Sequence, residues 1–221
     1  MKPRRLLVAV AIVLSLAGAA GCASHQRSYS GFLEEYPPFR KGPEGGADLV
    51  YIREGTDFKK YTKVMVDHVV FWLKKDADYR GIHPDEMAEL SNAFHRALVD
   101  ALGNAYPLVE EPGPDVFRLR IAVTDVVASK PGVDSVSTIM PVGLAITTIK
   151  KGSAGKSAGV GEASMEAEIL DSLTGERLAA AIDRKAGGKL EGMTKWGAAE
   201  GAFRFWAGRL RKWLDEQHGF K

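Results

Sequence analysis

Ala163-Ser164-Met165-Glu166-Ala167-Glu168-Ile169-Leu170 runs directly into Asp171-Ser172-Leu173-Thr174-Gly175-Glu176. In the first half Ala163, Met165, Ala167 and Ile169 alternate with Ser164, Glu166 and Glu168, the two-residue period of a strand with one apolar face. The second half is turn chemistry. It returns the chain through residues 178–183, and the whole reads as a β-hairpin.

Working outward, Phe117, Leu119, Ile121 and Val123 alternate with Arg118 and Arg120, the clearest strand in the chain. Pro112-Gly113-Pro114 connects it to a short strand over residues 107–110. Earlier strands are expected over 49–53 and 61–72; in the latter, Val64, Val66, Val70 and Trp72 share a face with His68 while Lys63 and Asp67 point away. His83-Pro84-Asp85-Glu86 starts a helix that Gly103 closes, and Met87, Leu90, Phe94, Ala97, Leu98 and Ala101 form its apolar stripe. A last helix over 194–217 repeats Trp196, Ala199, Phe203, Trp206, Leu210 and Trp213 at helical spacing. Together these predict an α/β fold of the α+β kind, a two-layer sandwich. A mixed sheet of about five to six strands would carry two helices packed on one face.

The amino terminus reads differently. Lys2, Arg4 and Arg5 precede an apolar run and the small residues Ala17-Gly18-Ala19-Ala20-Gly21, followed by Cys22, the one cysteine of the chain. This is the layout of a lipoprotein signal, with residues 1–21 a signal peptide and Cys22 carrying a diacylglycerol thioether and an N-acyl chain. A plain secretory signal is the alternative; the apolar run falls short of the roughly 20 residues of a membrane span. Ala23 in place of an aspartate directs the expectation to the outer membrane, facing the periplasm. Residues 22–47 form the lipidated terminus and a tether or arm, and 48–221 a single α/β domain. Within the arm, Phe32, Leu33 and Tyr36 either lie against the domain or form a partner-docking peptide.

The 221 residues hold 30 Lys and Arg against 28 Asp and Glu. Residues 1–21 carry three of the cations and no acid, so the remainder has a net charge of −1. No basic excess is left to draw in nucleic acid. With its only thiol lipidated, the domain has no internal disulfide.

The chain also resembles a known family, the bacterial lipoproteins called domain of unknown function 3313. The resemblance rests on Ser30-Gly31-Phe32-Leu33 with Tyr36, on Tyr61-Thr62-Lys63-Val64-Met65-Val66-Asp67, and on Glu166-Ala167-Glu168-Ile169-Leu170-Asp171 leading to Thr174-Gly175-Glu176. It continues through Asp183-Arg184-Lys185-Ala186-Gly187 to Trp206 and Leu210. It implies an envelope lipoprotein without an assigned biochemical role, and it carries over no catalytic residue.

Constellations that suggest chemistry do not hold together. Gly152-Ser153-Ala154-Gly155-Lys156-Ser157 mimics a phosphate-binding loop, but Lys150 stands where the first glycine belongs and a strand comes next instead of a helix. His25, His68, His83, His95 and His218 are scattered, and Asp76, Asp78, Asp85 and Glu86 lack the calcium-loop pattern. Ile139, Met140, Leu144 and Ile146 belong to an apolar stretch ending at Lys150 and Lys151, read as a covering element or as a partner or self-association surface. The expectation is therefore a non-enzymatic outer-membrane lipoprotein without metal or cofactor that binds another envelope component. The alternative is an envelope enzyme or small-ligand-binding protein with its site in residues 130–161, lined by Arg118, Arg120, Glu166 and Glu168. Those four are expected on the solvent side of the sheet.

Overall fold

In the computed structural model, which describes residues 29–73, 75, 82–129, 161–187 and 193–220, the elements are β1 (Arg40–Lys41), β2 (Leu49–Ile52), β3 (Lys63–Val66), β4 (Val70–Phe71), α1 (Pro84–Leu102), β5 (Val116–Val127), β6 (Glu162–Asp171), β7 (Arg177–Ala186) and α2 (Gly197–His218). The strands form one sheet in the order β1-β2-β7-β6-β5-β3, with β4 also paired to β5. β3 and β4 run parallel to β5, and the other pairs are antiparallel. The mixed sheet and two helices are the sandwich the patterning predicts.

The sheet has seven strands: the stretch read as one strand over 61–72 is two, and Arg40–Lys41, within the stretch read as a tether or arm, adds β1 at the edge. Asp67 turns aside to grip Arg118 through two hydrogen bonds of 2.8 and 2.7 Å. The break reverses the facing of the residues beyond it. Val69 is buried, while Val70 and Trp72 are 39% and 50% exposed on the face away from the helices, and His68 is exposed where an apolar-face position was expected. His68 meets the Ser91 hydroxyl at 3.3 Å. Residues 107–110 contribute only an isolated bridge, Leu108 to Val64.

Helix α1 starts as its sequence dictates. Pro84 occupies the first turn, and His83 and Glu86 close a capping box. Gly219, at φ 76°, ends α2 in the left-handed conformation that glycine adopts without a Cβ clash. The two helices pack together through Phe94 and Phe203, whose rings stack at 4.5 Å, and their apolar stripes share one core with Leu119, Ile121 and Met165 of the sheet. Trp206 reaches the sheet and donates its indole N–H to Asp183 at 2.6 Å.

The β6–β7 turn is held by one carboxylate. Asp171 accepts the backbone N–H groups of Leu173 and Thr174 at 3.0 Å, the Tyr61 hydroxyl at 2.7 Å and the Lys60 ammonium at 3.3 Å. Burial pushes its pKa up, but these donors overcome that, and the net result lies well below the usual carboxylate range.

Phe94→Ala opens a cavity between the helices and should lower the unfolding free energy by about 3–5 kcal/mol, measured by urea denaturation. Because the folded-state pKa of Asp171 is depressed, its contribution is present above its unfolded pKa of 3.8 and fades as pH falls below that value. Asp171→Asn should therefore be less stable at neutral pH and show a flatter loss of stability in an acid titration.

Candidate functional site

Two helices packed about 8–10 Å apart cannot roof a sheet whose strands repeat every ~4.8 Å over this width. Helix α2 lies over β6 and β7 and stops short of β2. A cavity of about 490 Å³ runs from the wedge between α2 and the β1–β2 edge beneath α2 to Leu119 and Ile121 of β5 and to Phe94 and Leu98 of α1, a volume inside the roughly 300–1,000 Å³ common for small-molecule sites.

The cavity's floor is Ile121, Met165, Ala167 and Ala179, and its walls are Val50 and Ile52 on the sheet edge and Phe205, Leu210 and Trp213 on α2. The alanines make the space. Ala167, Ala179 and Ala181 present a single methyl group where a larger residue would meet the helix. Glu168, the one acid among the described lining residues, turns its carboxylate to the other face of the sheet, where Arg120 and Arg177 bind it. Asp183 ties the two walls together, accepting from Trp206 on α2 and from the Asp48 N–H at 2.9 Å beside β2. Burial raises its pKa, opposed by the hydrogen bonds from Trp206 and Asp48.

The opposite face is charged and covered. Phe32 and Leu33, 7% and 1% exposed, pack on Ala122 and Ala180 beside Tyr36, Phe39 and Tyr51. Beneath them Glu166 is fully buried and accepts the Ser30 N–H at 2.8 Å and the Tyr36 hydroxyl at 2.7 Å. Arg177 bridges from Glu168 to the Leu33 and Glu35 carbonyls, each at 2.7 Å. Arg120 lies over the Phe32 ring at 5.1 Å, and Trp72 donates to the Ser30 carbonyl at 3.2 Å. Burial and then the Glu166 hydrogen bond raise the Tyr36 pKa, so the phenol keeps its proton.

Arg118, Arg120, Glu166 and Glu168 do share one sheet face, as the alternation predicts. Where the arm lies that face is not the solvent side, although the Arg118 side chain stays 43% exposed. The two carboxylates are buried under the arm, and their apparent polarity is consumed by internal partners. Cys22 and the surface candidates Ile139, Met140, Leu144 and Ile146 lie outside the described residues, as does nearly all of the 130–161 region. Among the described residues no three His, Cys, Asp or Glu side chains gather as metal ligands would, and no helix is long and apolar enough to cross a membrane. Sequence reasoning passed over Arg40, Arg209 and the alanines of β7. The available signal was the run Ala179-Ala180-Ala181 inside a strand, too small to fill a core facing an aromatic helix.

A family model described as a protein of unknown function, DUF3313, matches residues 28–210. The chain belongs to this family. The match takes in the arm, both faces of the sheet and most of α2. No curated protein matches the chain. Among solved structures, this DUF3313 protein is similar to a PelC dodecamer from Paraburkholderia phytofirmans, at 13% identity, TM-score 0.40, with 72% of this chain and 96% of that chain covered. A hypothetical protein from Chlamydia trachomatis gives 12% identity and TM-score 0.41, covering 70% and 98%. A protein from Xanthomonas campestris gives 11% and 0.37, covering 76% and 94%.

The hydroxyl of Tyr36 is the arm's polar anchor. Tyr36→Phe leaves a buried Glu166 oxygen without its donor and should lower the unfolding free energy by about 1–3 kcal/mol, read in urea melts against the parent protein.

Proposed function

We propose that this chain is an outer-membrane lipoprotein, anchored at Cys22 and facing the periplasm, that works by binding and holds an apolar envelope component in the cavity between α2 and the β1–β2 edge. The observation that carries the reading is the cavity itself. It is lined by aliphatic and aromatic side chains, kept open by alanines, and bounded by two walls that Asp183 joins. The carboxylates on the other side of the sheet are engaged with the arm or with arginines, which leaves this wedge as the place where a ligand would gain most from leaving water.

The volume sets the size of the ligand. At about 30 Å³ for each water-sized group, 490 Å³ admits about sixteen such groups, the bulk of one acyl chain. Each buried CH₂ contributes about 0.8 kcal/mol, about fourfold in affinity.

A series of straight-chain primary alcohols, titrated into the purified full chain by calorimetry, should bind about fourfold tighter per added methylene until the cavity is filled. Ala181→Phe, which places a ring in the wedge, should weaken the longer alcohols at least tenfold without lowering the melting temperature. Affinity that stays flat along the series would overturn the reading.

A further inference from the structure

We propose that the cavity takes a single-chain anionic amphiphile, its tail on the apolar floor and its head group held at the mouth by Arg40 and Arg209. The inference rests on the cavity reading and adds the head group to it.

Two cations line the same opening from two sides. Arg40 in β1 is exposed and pairs in register with Val50 of the cavity wall, whereas its neighbour Lys41 falls on the opposite sheet face, and Arg209 projects from α2, partly buried on the facing wall. Neither Arg40 nor Arg209 has an ion-pair partner among the described residues. This sets them apart from many cations elsewhere on the domain. Arg118 is matched by Asp67, Arg177 by Glu168, Lys195 by Glu86 and Arg211 by Asp215. The neighbours of Arg209 one helical turn away on its own helix include Phe205 and Trp213 and no acid, so α2 does not neutralise it. The only acid among the described lining residues, Glu168, spends both oxygens on the far face. Glu44, in the loop after β1, is not among those lining residues.

An apolar chamber with an unneutralised cationic rim is complementary to one molecular shape. A neutral lipid would leave the guanidinium groups unanswered, and a cationic one would be repelled. A carboxylate or phosphate monoester head accepts the paired N–H groups of arginine while its tail fills the wedge. A two-tailed lipid exceeds the volume, which suits one chain.

The test compares heads on a common tail. Laurate, lauryl alcohol and lauryltrimethylammonium are titrated into the purified full chain below their aggregation limits. Laurate should bind at least tenfold tighter than the alcohol, the ammonium more weakly than either, and the gap should narrow as salt is raised. In the variant carrying Arg40→Gln and Arg209→Gln, laurate should fall to the level of the alcohol while the alcohol's own affinity is unchanged. Equal binding of laurate and alcohol by the parent protein would overturn the head-group assignment and leave the cavity reading intact. Binding of none of the three would overturn the cavity reading itself. Loss of alcohol binding in the double variant would show that these residues build the wall instead of reading the charge, and would also overturn the assignment.

Discussion

Glu166 and Glu168 stand two residues apart on the central strand β6, both buried, on a sheet with neighbours on either side. A carboxylate removed from water must be matched by donors or it destabilises the fold. The rest of the unroofed sheet face answers that requirement. Arg120 from β5 and Arg177 from β7 flank Glu168, while the arm supplies Glu166 with a backbone N–H from Ser30 and a hydroxyl from Tyr36. The arm is therefore held by charge as much as by the burial of Phe32 and Leu33. Arg177 makes the two systems one, since its guanidinium reaches both the carboxylate and the arm's carbonyls.

Covering that face with a short arm has a consequence on the other. Both helices are free to lie on the apolar side, where they pack through Phe94 and Phe203 and leave the β1–β2 edge without a roof. The wedge stays open because β7 carries alanines there and because Asp183 fixes the spacing between α2 and the loop entering β2. With one face sealed and charged and the other roofed and apolar, the accessible hydrophobic volume among the described residues gathers in this wedge. Membership of the DUF3313 family is consistent with either a binding or a catalytic role, so the chemistry of this volume, and not the fold, carries the functional reading.

Much of this was legible from residues alone. The alternation in β5 and β6, the Asp171 turn, the proline start of α1 and the aromatic stripe of α2 each express a period or a cap encoded by neighbours in sequence. The departures have local causes too, but ones that sequence does not display. The expected strand over 61–72 breaks at Asp67 because Arg118, 51 residues away, offers a better partner than solvent. The break then exposes Trp72, which the period had placed inside.

Sequence by itself determined the two helices, the strands β5, β6 and β7 and their order, the hairpin, the one-sided amphipathicity of both helices and the family, since all of these reside in short-range patterning. Tertiary structure decided the rest. Whether Glu166 faces water or an arm depends on a hydrogen bond spanning 136 residues. Whether Arg40 and Arg209 share a mouth depends on how β1 docks at the sheet edge beside α2. Period and propensity act over a few residues, whereas burial, charge pairing and cavity shape arise only when distant segments exclude the same water.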